Sequence, residues 1–123
     1  MSNPRRAERP IQPEATAGPE SHALRWTGRA EADLVAIDDY ISANNPVAAA
    51  RGIETLMGRA EEAALSPLAG RVVPELGISS IREVLVRHYR IVYRVHSGEA
   101  QVLTVFEGHR LLRAKTPIDL EED

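Results

Sequence analysis

After position 23 the apolar residues first alternate with polar ones and then, from Ala30 onwards, follow the spacing of a helix. Leu24-Arg25-Trp26 is short and alternating, which predicts a strand. Thr27 follows as a suitable helix cap, with Glu31 in the first turns. The next apolar residues are spaced four, three and four positions apart, as on one face of a helix: Ala30, Leu34, Ile37 and Ile41.

A second helix begins after a short break. Asn45 is a suitable cap, and Pro46 falls at the first helical position, where proline is tolerated. Its apolar stripe comprises Ala49, Ile53, Leu56, Met57, Ala60 and Ala64. Because so few residues separate the two helices, we predict an antiparallel helical hairpin.

After the loop at Ser66–Gly70, the pattern of apolar residues changes from that of a helix to that of strands. Three segments rich in valine, isoleucine and tyrosine are predicted as strands: Ile81–Arg87, Arg90–His96 and Gln101–Phe106. Ser97-Gly98 is a hairpin turn between the last two strands, and Arg87-His88 is a shorter bend between the first two. The order β-α-α-β-β-β predicts an α+β fold, with the helical hairpin packed on an antiparallel sheet.

Composition limits what such a chain can be. Its 123 residues suit a single domain, predicted over residues 23–116, and the absence of cysteine excludes disulfides and thiolate chemistry. The absence of any apolar run of about 20 residues argues against a membrane span. Residues 1–22, rich in proline, are predicted to be a disordered tail or the product of a misassigned start. Residues 117–123 are predicted to be a solvated acidic tail, and the alternative is that they shield the basic face.

Charge is unevenly distributed along the chain. Residues 27–70 carry three bases and seven acids, whereas residues 71–115 carry eight bases and four acids. A basic half suggests an anionic partner, such as nucleic acid or an acidic protein segment. The alternative is a GC-rich coding sequence, since fourteen of the fifteen basic residues are arginine.

Candidate chemistry begins on the strand that contains Arg90 and Arg94. Alternation puts these two arginines on one face, about 7 Å apart, and Arg82 on the neighbouring strand could join them. Guanidinium groups so placed suit a phosphate or a carboxylate. The alternative is a solvated sheet face on which the arginines pair with Glu83 or Glu107. No nucleotide-binding glycine motif, HExxH or GxSxG motif, or close histidine spacing is present, so no cofactor or metal is expected.

A second candidate is the end of the last strand, Glu107-Gly108-His109-Arg110. Gly108 permits a sharp bend that would expose His109 and Arg110. His109 could act as an acid or base, because its ordinary pKa lies near 6.5, and Glu107 could orient it. The alternative is an ordinary polar strand end.

Taken in order, several segments make the chain resemble the RelE/ParE superfamily of type II toxin–antitoxin toxins over Leu24 to Leu112. The segments are Trp26 with Ala32-Asp33-Leu34, Tyr40-Ile41, Asn45-Pro46, Pro67-Leu68, Gly70-Arg71, Pro74-Glu75, Ile81-Arg82-Glu83, Tyr89–Val95 and Gly108-His109-Arg110. The resemblance implies a bacterial, cytoplasmic toxin neutralised by a cognate antitoxin. Operator DNA would then be reached only through that antitoxin.

The superfamily has two branches with different mechanisms. One cleaves mRNA on the ribosome, and Arg82, Arg90 and Arg110 match positions that are basic there; His109 would then be the acid or base, because no tyrosine follows Arg110. The other, ParE-like branch inhibits DNA gyrase by binding it. The Asn-Pro hairpin and the Pro-Leu-x-Gly-Arg loop resemble this second branch.

The resemblance therefore favours gyrase inhibition. The alternatives are a ribosome-dependent mRNA interferase and an inactive member kept in a repressor complex. The residues expected to contact the target or the antitoxin are Arg71, Arg82, Arg87, Arg90, Arg94, Glu107, His109 and Arg110.

Overall fold

The architecture follows from a computed structural model that describes residues 22–108. Its elements are β1 (Ala23–Trp26), α1 (Gly28–Ser42), α2 (Pro46–Leu65), a 3-10 turn (Pro67–Ala69), β2 (Arg71–Val72), β3 (Ile81–Val86), β4 (Tyr89–His96) and β5 (Glu99–Glu107). The predicted acidic tail and nearly all of the predicted N-terminal tail lie outside the described residues. No helix within the described range is long and apolar enough to cross a bilayer.

Both helices begin at the predicted caps. The Thr27 hydroxyl accepts a hydrogen bond from the Ala30 amide and donates one to the Val102 carbonyl oxygen at 2.7 Å. The Asn45 side chain accepts from the Ala48 amide at 3.1 Å, and Pro46 opens α2. Thr27 therefore both starts α1 and attaches it to β5.

We expect Asn45→Ala to lower the free energy of unfolding by about 1 kcal/mol, because it removes the side-chain acceptor at the start of α2. Urea unfolding followed by Trp26 fluorescence would measure the change. The matched control is Asn44→Ala, at an exposed neighbour that does not cap α2. An equal decrease in the free energy of unfolding of the two variants would show that the Asn45 side chain does not stabilise the protein as a helix cap.

The sheet has the order β1-β5-β4-β3-β2. The predicted α+β fold with a helical hairpin on a sheet is confirmed, with two additions. β1 runs parallel to β5, so the sheet is mixed rather than wholly antiparallel. The two-residue strand β2, which the sequence pattern did not indicate, pairs with β3 at the edge of the sheet.

The helices cover one face of the sheet. Ala30 of α1 and Leu56 and Ala60 of α2 are buried against Ile91 and Val102 of the sheet. Most of the two predicted stripes point into this core, but Met57 lies at its margin and is 40% exposed. Small alanines in both helices let their backbones approach the strands closely, which suits a core with few aromatic residues.

A loop between β2 and β3 covers part of the opposite face. Val73, Leu76 and Ile78 of this loop pack with Val92 and Leu103, which point away from the helices. We call residues 73–78 the strap. Both faces of the central strands are therefore covered, and the polar groups beneath the strap need partners there.

The edge of β5 beyond Val102 is completed by a helix residue. β1 ends opposite Val102, and the Asp33 carboxylate then accepts hydrogen bonds from the Thr104 hydroxyl at 2.6 Å and the Val105 amide at 3.0 Å. The β4–β5 register shifts here, with Val92 opposite Thr104 and Tyr93 opposite Val102. Asp33 therefore supplies an acceptor at a position where β1 has already ended.

Candidate functional site

The sheet face beneath the strap carries two of the predicted arginines. Arg90 lies opposite Phe106, and Arg94 lies opposite Ile81; both partners belong to the face turned away from the helices. The prediction that Arg90 and Arg94 share one face is therefore confirmed.

Arg90 is the centre of an ion-pair network that we call the clasp. Its Nη1 and Nη2 atoms each donate to one oxygen of Glu75 at 2.8 Å, and its Nε donates to Glu83 at 2.7 Å. Only 5% of the Arg90 side chain is exposed, and its guanidinium lies 5.0 Å from the centre of the Phe106 ring. The hydrogen bond to Glu75 raises the pKa of Arg90 above its ordinary value, so the group stays charged.

Glu83 is the acidic member that joins the clasp to the sheet edge. Its side chain is fully buried, and its second oxygen accepts from the Nε of Arg71, whose side chain is 58% exposed. The pairing with Glu83 that the sequence offered as an alternative is therefore present. Glu75 was not foreseen as a partner, because it reaches Arg90 from the strap and not from a neighbouring strand.

Arg82 does not join the other arginines, which corrects the expectation that it could. It pairs with Tyr93 across β3 and β4, on the face that carries the helices. Its guanidinium donates to the carbonyl oxygens of Ser79, Leu68 and Gly70 at 2.7–3.1 Å. These bonds hold the segment before β2 against the sheet. The predicted two-residue turn at Arg87-His88 places Val86 opposite Tyr89 and therefore Arg82 opposite Tyr93. The turn thus contained the information that Arg82 faces the helices.

Arg94 belongs to a separate polar chain at the other end of the sheet. Its guanidinium donates to Gln101 at 2.7 and 3.2 Å, and Gln101 donates to Glu99 at 2.8 Å. That hydrogen bond lowers the pKa of the Glu99 carboxyl, with a smaller contribution from Arg25. Arg94 and Arg90 therefore share a face but not a site.

Two of the remaining predicted residues, Arg87 and Glu107, lie at the end of the sheet where β5 ends. Arg87 occupies the β3–β4 turn with a φ of 57° and is exposed, and Tyr89 lies opposite Glu107. The Gly108 amide donates to the His88 carbonyl oxygen at 2.6 Å, so the chain leaves β5 beside this turn. A Cβ on Gly108 would lie 3.3 Å from that oxygen, so a close approach favours glycine there rather than a positive φ. His109 and Arg110 lie outside the described residues.

The geometry limits the chemistry available on the described surface. Arg90 and Arg82 are held by carboxylates and carbonyl oxygens, whereas Arg71 and Arg87 extend to the surface. Among residues 22–108, no cluster of three or more histidine and acidic side chains could hold a metal ion. Of the arginines predicted to form a basic face, Arg90 is therefore neutralised by carboxylates and Arg82 is engaged by backbone carbonyl oxygens.

Comparison with known proteins agrees with this architecture. Residues 24–112 match the family of the ParE toxin of the type II toxin-antitoxin system, parDE. The chain is 39% identical to Toxin RelE2 of Caulobacter vibrioides over 87 residues, which cover 70% of this chain and 94% of that protein. A solved chain of the chromosomal ParDE system of P. aeruginosa has the same fold, with a TM-score of 0.61 and 23% identity over 72% of this chain and 97% of its own.

The family match covers well over half of the chain, and it spans both helices, β2 to β5 and all of β1 except Ala23. The chain belongs to the ParE toxin family of type II toxin–antitoxin systems, within the RelE/ParE superfamily.

Proposed function

We propose that this toxin acts by binding DNA gyrase and inhibiting it, and that it breaks no bond itself. The observation that carries the proposal is the state of Arg90, which is buried and bound by Glu75 and Glu83. The proposal applies to this chain the mechanism of the ParE-like branch, which its sequence resembles.

RNA cleavage without a metal would require different groups at the surface. Such an enzyme must activate a 2′-hydroxyl and protonate a leaving oxygen, while cations hold the phosphate. Arg82 and Arg90 were the described candidates for holding that phosphate. One is bonded to backbone carbonyl oxygens and the other to two carboxylates, so their roles in this fold are structural.

Docking suits the groups that do reach the surface. Arg87 projects from the β3–β4 turn, Arg71 lies at the sheet edge, and Leu85 between them is half exposed. Arginines beside an exposed aliphatic residue are typical of protein-binding surfaces. This surface is our candidate for the gyrase contact.

The antitoxin is the partner that membership of the family implies. We propose that it binds the toxin directly and that the complex reaches operator DNA through the antitoxin. We also propose a cytoplasmic location, where gyrase and the antitoxin would both be encountered.

The mRNA interferase remains the second candidate because a relative 39% identical is named RelE2. It would use His109 as acid or base and Arg110 as a phosphate ligand. It predicts that His109→Ala abolishes toxicity without unfolding the chain.

Pulse labelling after induction in a bacterial host separates the two functions. We expect thymidine incorporation to fall before methionine incorporation, and purified toxin to inhibit supercoiling by gyrase. Arg87→Gln is expected to weaken that inhibition about tenfold, or ~1.4 kcal/mol. Arg51→Gln, at an exposed position on α2, is the matched control and should leave it unchanged. An earlier fall in methionine incorporation, lost in His109→Ala, would overturn the proposal.

A further inference from the structure

The outer edge of β3 is covered over only part of its length. β2 pairs with Arg82 and Glu83 and with no later residue of β3. The chain before β2 turns towards the helices, where the Pro67 carbonyl oxygen accepts a hydrogen bond from the Tyr93 hydroxyl. Within residues 22–108, no strand therefore lies outside the last three residues of β3, Val84–Val86.

Leu85 directs its backbone groups towards this uncovered edge. Residues at alternate positions of an antiparallel strand direct their amide and carbonyl groups to the same side. The Ile81 carbonyl oxygen accepts from the Val73 amide on the outer side at 3.2 Å, and Leu85 lies four positions later. No backbone hydrogen bond from the described part of the chain reaches Leu85 on that side. Such an edge can pair with an extended segment.

The side chains at this edge are cationic and apolar. Arg71 is 58% exposed although its Nε donates to Glu83, and Arg87 is exposed in the β3–β4 turn. The Leu85 side chain lies between them and is 50% exposed. The edge therefore suits an extended acidic segment that carries an apolar residue.

The acidic tail, residues 117–123, has this chemistry. It contains four acidic residues and no basic one. Its apolar residues Ile118 and Leu120 alternate with Asp119 and Glu121, which is the pattern of a strand. Charge and pattern therefore match those of the β3 edge.

The acidic tail also begins within reach of this edge. The chain leaves β5 at Gly108, whose amide donates to the His88 carbonyl oxygen in the β3–β4 turn. A position outside β3 is three strand spacings from β5, or about 15 Å. Residues 109–119 span up to about 36 Å when extended, at ~3.3 Å per residue. A segment that arrives from the turn runs antiparallel to β3.

From these observations we infer that the acidic tail pairs with the outer edge of β3 in antiparallel orientation, with Leu120 packed on Leu85. The acidic residues on either side of Leu120 then lie beside Arg71 and Arg87. In this position the acidic tail covers the surface proposed for the gyrase contact and is autoinhibitory. The autoinhibition rests on the proposed function, whereas the pairing itself does not.

A spin label on the acidic tail tests the pairing in the free toxin. The chain contains no cysteine, so Asp123→Cys gives a single labelling site. The full-length toxin is separated from its co-expressed antitoxin in denaturant, refolded and labelled. We expect the label to broaden the NMR amide signals of Arg71 and Leu85 and to leave those of β1, at the opposite edge of the sheet, unchanged. High salt should reduce the broadening.

Charge variants of the labelled toxin provide the controls. Replacing three acids together, by Asp119→Asn, Glu121→Gln and Glu122→Gln, should remove most of the broadening. On the folded domain, Arg87→Gln should weaken it, whereas Arg51→Gln, at an exposed position on α2, should not. Broadening that is absent at Leu85, spread evenly over the sheet, or unchanged in the triple variant would overturn the inference.

Occupation of the edge by a second copy of the toxin would also overturn it. Spin-labelled chains are mixed with isotope-labelled chains that carry no spin label. Broadening of the Leu85 signal in this mixture would show that the segment comes from another molecule. We expect broadening only when both labels are on the same chain.

Inhibition of gyrase tests the consequence separately. Without the spin label, the triple variant should inhibit supercoiling about fivefold more strongly than the wild type, because the gyrase surface is uncovered. Equal inhibition by the two chains would overturn the autoinhibition. If neither chain inhibits gyrase, the proposed function fails, and the spin-label experiment still decides the pairing because it involves the free toxin alone.

Discussion

Replacing Arg90 by alanine is expected to lower the free energy of unfolding by about 3–5 kcal/mol, because it leaves a fully buried Glu83 with a partly exposed Arg71 as its remaining charged partner in the clasp. Glu75 would also lose its two hydrogen bonds to Arg90, which join the strap to the sheet. Urea unfolding followed by Trp26 fluorescence and circular dichroism measures the loss.

The control is Arg94→Ala on the same strand and face. Arg94 donates to the neutral Gln101, so its removal takes hydrogen bonds from an uncharged group and should cost about 1–2 kcal/mol, less than the loss at Arg90. The double variant Arg90→Leu with Glu83→Leu should be more stable than either single variant, since breaking the pair costs more than replacing it. Losses of the same size in Arg90→Ala and Arg94→Ala would disprove the central position of the clasp.

The second large effect is expected at Gly70, which precedes β2. A Cβ there would overlap the Tyr93 hydroxyl and lie 3.0 Å from the Glu83 carbonyl oxygen. Burial raises the pKa of the Tyr93 phenol, so its hydroxyl stays protonated and donates to the Pro67 carbonyl oxygen at 2.5 Å. Gly70→Ala should therefore destabilise the fold by about 2–3 kcal/mol through overpacking.

Gly58 provides a control of opposite sign. A Cβ at Gly58 of α2 would meet no atom within 4 Å, so Gly58→Ala should stabilise the protein by about 0.5–1 kcal/mol. Tyr93→Phe should recover part of the Gly70→Ala loss, because it removes the clashing oxygen. Midpoints of thermal unfolding of the wild type, Gly70→Ala, Gly58→Ala and the double variant Gly70→Ala with Tyr93→Phe test these expectations. A Gly70→Ala midpoint at or above that of the wild type would contradict the predicted overpacking.

Local chemistry was sufficient to predict the helices and turns. Thr27 and Asn45 satisfy amides only three residues away, so sequence neighbours decide where each helix begins. Ser97 and Gly98 both take positive φ in the predicted hairpin turn, a preference that is also local. The strands β3, β4 and β5 were predicted from segments rich in valine, isoleucine and tyrosine, and this composition is also a local property.

Long-range contacts account for what the sequence did not reveal. Alternation identified the face of Arg90 but not the strap that covers it, because Glu75 lies fifteen positions before Arg90, in a loop that has no repeating pattern. The two-residue β2 is too short to show any period. Asp33 is not part of the apolar stripe predicted for α1, and it completes an edge that exists only after β1 has ended beside β5.

The pairing of β1 with β5 also determines when this toxin can exist as a folded molecule. Ala23 pairs with Glu99, so β1, the first of the strands within residues 22–108, has no partner until β5, the last of them, has been synthesised. Contacts across so much intervening chain fold more slowly than local ones. A growing chain can form its helical hairpin but cannot close its sheet. Each toxin chain therefore passes through an interval in which its helical hairpin has been synthesised but its sheet is not yet closed. An antitoxin already present in the cell can meet the toxin during that interval.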